Sequence, residues 1–255
     1  MTQKSLFAVS ALALIAAGSL FDFKAQAQGN GGLSDVQKSE VRQVIKDYLR
    51  ENPDMIVESL RAAQEKQQRD SLAAAQKKIG EYKDAMTAPG LPGAGNPNGD
   101  VTVVEFFDYN CGYCKKAVED IKEILNTDKN VRFVFFEMPI LSPTSTLAAQ
   151  WALAAHMQGK YFEFHTALME HRGGIDEATL EDFAKKIGLD VVRMKQDAAS
   201  QKIASEIENG KKMGMGMGIS GTPGFIINGQ PFPGYLGPEG MKSAIRETRE
   251  GSKSE

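Results

Sequence analysis

The stretch Val101-Thr-Val-Val-Glu-Phe-Phe-Asp-Tyr-Asn-Cys111-Gly-Tyr-Cys114-Lys115 decides the fold. Its first seven residues are β-branched or aromatic apart from Glu105, the content of a buried strand. Two cysteines separated by two residues follow at once. Lys115 to Leu125 then reads as a helix with Val118, Ile121, Ile124 and Leu125 on one side. Val131 to Phe136 is a second buried strand. Strand, helix and strand in so short a span predict a βαβ unit with a right-handed crossover.

A C-x-x-C pair at a strand-to-helix junction puts both sulfurs on one helical turn. The first then lies at the helix N-terminus, beside unpaired N–H groups and the positive end of the dipole, which favour thiolate over thiol. In such motifs the thiol pKa falls from about 8.5 to between roughly 3.5 and 7.5. Lys115, one turn on, adds positive potential. Cys111 is therefore the candidate nucleophile, exchanging with a substrate disulfide through a mixed disulfide, and Cys114 the resolving partner. The alternatives fit less well. A c-type haem needs histidine where Lys115 stands. Zinc needs four ligands, and His156, His165 and His171 lie downstream without ligand spacing. A structural disulfide closing so small a loop adds little stability. The histidines read as helix-surface or satisfied core residues. The expectation is therefore no metal and no cofactor.

Outward from this unit, residues 142–218 read as a helical insertion: Thr146–Gln158, Tyr161–Glu170, Glu177–Ile187 and Ala198–Lys212. Gly221 to Gly229 then reads as a turn and short strand, Gln230 to Phe232 as its hairpin partner, and Pro238 to Arg249 as a closing helix. Within the turn, the Thr222-Pro223 bond can take the cis form at a cost of only about 0.5–1 kcal/mol. That would free the Thr222 backbone to pair with an extended peptide. Three methionines in Met213-Gly-Met-Gly-Met-Gly218 offer soft thioethers that, with a thiolate pair, could hold Cu(I). They equally suit an adaptable apolar loop touching client side chains, along with Tyr113 and Phe225.

Toward the N-terminus, Pro89 to Gly99 carries three prolines and four glycines in eleven residues and reads as a linker. Before it, residues 33–49 form an amphipathic helix with Val36, Val41, Val44, Ile45, Tyr48 and Leu49 as its stripe. Asn52-Pro53 breaks it, and a second helix runs to about Met86. There Leu72, Ala75, Ile79, Tyr82 and Met86 are spaced as a short coiled-coil seam, which predicts a self-associating stalk rather than a helix docked on a globular core. Lys4, an apolar run from Leu6 to Leu20, and Ala25-Gln26-Ala27 have the pattern of an export signal cleaved near Gln28. The expected layout is signal 1–27, helical oligomerisation stalk 28–88, linker 89–99 and catalytic domain 100–250. The whole chain has 255 residues, a net charge of −3 and two cysteines. Nothing there suggests nucleic-acid binding, a disulfide framework or a four-cysteine metal site.

The run Val103 to Lys115, with Gly218-Ile-Ser-Gly-Thr-Pro223-Gly-Phe-Ile-Ile-Asn-Gly229, resembles the DsbA family of thioredoxin-fold disulfide oxidoreductases. The resemblance covers about residues 96–250. It implies an α/β thioredoxin-like fold with a helical insertion, preceded here by the α-helical stalk. By resemblance Cys111 is the nucleophile, Cys114 resolves, and Glu105 is the buried acid that moves protons. Gly112, Tyr113, Thr222 and Pro223 contact substrate. The family's best-known oxidases carry Pro-His between the cysteines; Gly112-Tyr113 here removes a positive neighbour of the thiolate. The layout is similar to the ScsC-type branch, linked to copper tolerance, and to Com1-like envelope proteins. That similarity implies a periplasmic homo-oligomer, a trimer by preference, acting as isomerase or reductase on misoxidised exported proteins with a membrane redox partner. The alternatives are a DsbA-like oxidase, a Cu(I)-binding envelope protein, and an envelope protein without turnover.

Overall fold

A computed structural model of the chain describes residues 32–251. The segment read as an export signal, residues 1–27, lies outside the described residues. The chain divides into two compact units, Met1–Leu60 and Arg61–Glu255.

In the first unit, α1 (Asp35–Glu51) starts at a capping box: Ser34 accepts from Gln37 N while the Gln37 side chain accepts from Ser34 N. Asn52 ends it, and Pro53 opens α2 (Pro53–Thr87), where the missing proline N–H costs nothing. The apolar side chains of α1 are exposed. Val36, Val44, Ile45 and Tyr48 are each more than half exposed, and Met55, Ile56, Val57 and Leu60 are also exposed.

The second unit is built on a five-stranded sheet in the order β1-β3-β2-β4-β5. The strands are β1 (Gly93–Gly95), β2 (Val101–Phe107), β3 (Val131–Glu137), β4 (Gly224–Ile227) and β5 (Gln230–Pro233). β2 and β3 run parallel, joined by α3 (Gly112–Thr127), as the βαβ reading expected; the other pairings are antiparallel. Five helices fill the insertion: α4 (Pro143–His156), α5 (Tyr161–Glu170), α6 (Glu177–Ile187), α7 (Val191–Ala198) and α8 (Gln201–Gly216). Sequence reading missed α7, which Asp190 caps by accepting from Arg193 N. The closing helix is α9 (Gly237–Gly251). This is the expected thioredoxin-like α/β fold with a helical insertion.

Side chains alternate across β2. Val103, Glu105 and Phe107 face one way, toward α3, α9 and the insertion. Val104 and Phe106 face the other way, into a separate apolar cluster with Val134, Met138, Met217 and Ile226. That second cluster is completed by Ile79 and Met86 of α2, both nearly inaccessible, with Tyr82 packed beside them. Ile79, Tyr82 and Met86 of the expected coiled-coil seam therefore pack on the chain's own sheet and Ala75 is buried too, while Leu72 is 49% exposed. The reason is physical: the face carrying Val104, Phe106, Val134 and Ile226 needs an apolar cover, and the seam supplies it.

The segment expected to be a linker is also corrected. Residues 93–95 form β1, paired with β3. Phe135 N donates to Pro92 O at 2.9 Å and Asn96 N to Val131 O at 2.9 Å. The Arg132 guanidinium donates to Thr87 O and Ala88 O, each at 2.7 Å, satisfying carbonyls left open at the end of α2. The glycines serve closeness rather than flexibility. A Cβ on Gly93 would sit 2.5 Å from Phe133 O, and Gly95 adopts φ +86°.

The methionine–glycine run closes α8 against this same face. A Cβ on Gly214 would meet the Phe106 ring at 2.9 Å. Met217 is wholly buried in the back cluster and Met213 packs against it, while Met215 is exposed. The cysteines belong to the other cluster.

Candidate active site

β2 ends in a turn that delivers Cys111 as the N-cap of α3, with extended backbone (φ −80°, ψ 116°). An N-cap side chain normally accepts from the N–H groups of the first turn. Here the acceptor is sulfur: Cys114 N donates to Cys111 Sγ at 3.2 Å. The two cysteines are unlinked thiols. From 111 residues away, the turn before β4 brings Thr222 to the same sulfur, and the Cys111 thiol donates to Thr222 O at 3.2 Å. The Thr222-Pro223 bond is cis. Cys111, Cys114, Thr222 and Pro223, four of the residues expected at the site, are thus brought together.

The two thiols are pushed apart. Hydrogen bonding with the Cys114 thiol, Thr222, and the N–H groups of Cys114 and Tyr113 outweighs burial and lowers Cys111 to about 6. Cys114 is wholly inaccessible, and burial drives its thiol well above the ordinary range, reinforced by the Cys111 hydrogen bond and the charge of Glu105. The outer thiol is lowered because its charged form gains the Cys114 thiol and then N–H groups as partners; for the inner one burial dominates.

Glu105 lies on the cysteine face of β2, in register with Phe135 of β3 and Phe225 of β4. Its Oε1 has no partner. Burial between these strands, and then the charge at Cys111, raises its carboxyl to about 8. It can therefore hold or release a proton near neutral pH. Phe225, expected in a substrate groove, is instead fully buried. Gly112 and Tyr113 are exposed; a Cβ on Gly112 would meet nothing within 4 Å, so the approach to Cys111 is open there.

Several residues of the site were missed from sequence. The buried Asp108 carboxylate accepts from Asn110 N (2.7 Å), Ile140 N (2.8 Å), Leu141 N (3.0 Å) and Ser145 Oγ (2.7 Å). Its carbonyl accepts from Cys111 N at 3.0 Å. It thus ties the cysteine turn to the start of α4. Asn110 repeats the link, its amide donating to Ser142, Thr144 and Ser145. An Asp before a turn was the available signal; its long-range partners were not. Behind the turn, Tyr109 and Tyr161 both donate to Glu137 Oε1, at 3.2 and 2.8 Å. Tyr109 Oη also meets His165 Nδ1 at 3.2 Å. His165 is a core residue as expected, but only half satisfied, its Nε2 having no partner. Burial lowers it to about 3, so it stays neutral. His156 and His171 pair with backbone carbonyls of Gly90 and Gly174.

Residues 102–246 match the DSBA-like thioredoxin domain, more than half of the chain. The chain belongs to this DsbA-like family. Residues 37–69 match the copper resistance protein ScsC N-terminal domain, so the ScsC-type layout is present as well. A thioredoxin-like oxidoreductase of Silicibacter pomeroyi is similar at 38% identity and TM-score 0.62, over 66% of this chain and 97% of that one. A linker-deletion mutant of Proteus mirabilis ScsC shares the fold at 22% identity and TM-score 0.64, over 88% of this chain and the whole of that one. Among curated proteins, a Na(+)/H(+) antiporter NhaA 1 of Salinispora arenicola is 32% identical over 155 residues, 60% of this chain and 24% of that protein. The chain spans about a quarter of the length of such curated relatives. Among the described residues of this DsbA-like chain, no helix is long and apolar enough to cross a membrane.

Proposed function

We propose that the chain is an exported, periplasmic thiol:disulfide oxidoreductase that acts as an isomerase or reductase on misoxidised proteins. The observation that carries the chemistry is the inequality of the two thiols around Cys111. At neutral pH Cys111 is the thiolate and Cys114 the protonated reserve. The Cys111 thiolate attacks one sulfur of a client disulfide; a mixed disulfide forms and the other client sulfur leaves as thiolate. If a different client thiolate then attacks the client sulfur of that mixed disulfide, Cys111 is released unchanged and the client has exchanged one disulfide for another. If instead Cys114 attacks Cys111 Sγ, its proton passes to Glu105 in the minority of molecules in which that carboxyl is ionised at neutral pH. The client leaves reduced by two electrons, and the Cys111–Cys114 disulfide must be reduced by a membrane redox partner. Thr222 and Pro223 would hold the client backbone, with Gly112 and Tyr113 flanking it.

The isomerase refinement rests on the exposed apolar side chains of α1 and the start of α2. In water such a row favours a second copy of itself, and the ScsC resemblance implies three copies. Several catalytic domains around one client raise the effective concentration of thiolate at its wrong bonds. The proposed layout is thus an export signal, an oligomerisation segment ending near residue 60, and a catalytic unit that includes the second half of α2. Deletion through residue 90 would strip the sheet's own cover, so point changes test the idea better. Val44→Lys with Ile45→Glu should give a monomer by light scattering that still reduces insulin but no longer reshuffles scrambled ribonuclease. Reshuffling undiminished in the monomer would refute the isomerase role. The oxidase reading is separated by thiol trapping in cells: a mainly reduced pair fits an isomerase, a mainly oxidised pair an oxidase.

A further inference from the structure

Tyr113, between the two cysteines, is 58% exposed and does not stand alone. Its ring centroid lies 5.7 Å from that of Tyr235, tilted by 32°. Tyr235 sits in the loop between β5 and α9. Two contacts fix that loop beside the site. Gly234 N donates to Pro223 O at 3.0 Å, so the loop hangs from the turn that faces Cys111. Tyr235 Oη donates to Asp120 Oδ2 of α3 at 2.7 Å, and this bond to a carboxylate raises its own pKa to about 12. Tyr235 is thus held by its hydroxyl and by the backbone beside it, half-buried against the core and with no catalytic duty. The Lys116 ammonium stands over Tyr113, 5.1 Å from its centroid.

We propose that Tyr235 is a specificity-determining residue: with Tyr113 it forms an aromatic platform that selects clients with an aromatic side chain next to the reacting cysteine. This rests on the thiol-exchange reading above. Covalent capture fixes the client sulfur at Cys111, and pairing with the Thr222–Pro223 turn keeps the client chain extended. An adjacent side chain then falls on the two rings. Rings at this separation welcome a third in stacked or edge-on contact, worth about 0.5–1.5 kcal/mol, or roughly a 2- to 12-fold rate preference. A basic side chain gains no comparable contact on Tyr113, because Lys116 already occupies the cation position there.

The test uses the full chain in its dithiol form and disulfide-linked dimers of single-cysteine peptides, with Phe, Leu, Ser or Lys beside the cysteine on either side. Second-order rates of mixed-disulfide formation should rank Phe first, with Phe over Ser by about 2- to 12-fold. Tyr235→Ala should erase that ratio while the midpoint for Cys111 alkylation stays near 6; Tyr235→Phe should keep most of it. An unchanged ratio in Tyr235→Ala, its loss in Tyr235→Phe, or Leu equal to Phe would overturn the proposal. Failure of every peptide to react would instead refute thiol exchange itself, whereas equal reaction of all four refutes only the platform.

Discussion

The two faces of one sheet differ in what they bury. On the cysteine face, β2 contributes Glu105 between Val103 and Phe107, and polar groups are carried inward with it: Tyr109, Glu137 and His165. On the opposite face, Val104 and Phe106 pack in an apolar cluster that includes Ile79 and Met86 of α2. Neighbouring residues of a single strand therefore serve different ends. One face gives up stability to keep titratable groups out of water; the other supplies it by ordinary packing. Buried carboxyls without a full set of partners are costly, which fits a face built for proton and sulfur chemistry.

The comparison breaks if changes on either face have the same consequences. The largest expected effect is on the cysteine face: Cys111→Ala should abolish insulin reduction, while Cys114→Ala should trap mixed disulfides with client proteins, seen on non-reducing gels. Next comes Glu105→Gln, which should slow resolution of the mixed disulfide by about 100-fold, the scale of general-base help. The same variant should be more stable than the parent at pH 7. The sign follows from the raised carboxyl: in the unfolded chain Glu105 ionises near 4.5 and in the folded chain near 8, so native stability falls as pH rises between those values. Glutamine removes that loss, about 3 kcal/mol at pH 7. Denaturant midpoints should converge below pH 4.5.

On the back face Met86→Ala should cost about 2–4 kcal/mol by denaturant unfolding, the usual cost of emptying a buried methionine site. It should leave the alkylation midpoint of Cys111 unmoved. A shift there would mean that the two faces are coupled. The smallest effect concerns the pH dependence of the dithiol form. The folded pKa of Cys111 lies below its unfolded value, so its contribution to stability is fully present above about 8.5 and is lost as pH falls through about 6. Melting temperatures of the parent and Cys111→Ser should therefore separate progressively above pH 6 and run parallel below it.

The cysteine face was legible from sequence because its signals are local: a strand composition, two cysteines at helical spacing, and a proline before a short strand. The back face was not, since its partners are distant. The 3-4-3-4 spacing from Leu72 to Met86 states that a helix has an apolar seam, not what covers it. The prolines and glycines of residues 89–99 suggested a hinge because composition cannot distinguish flexibility from close backbone approach, which Gly93 and Gly95 provide against β3. Asp108 and Tyr235 escaped for the same reason: their importance lies in bonds to Ser145 and Asp120, far along the chain.

The most direct measurement of the central claim is the rate of Cys111 carboxymethylation in the dithiol protein between pH 4 and 9. A titration midpoint near 6 is expected, with Cys114 unreactive throughout. A midpoint at the ordinary thiol value near 8.5, or comparable labelling of both cysteines, would contradict it.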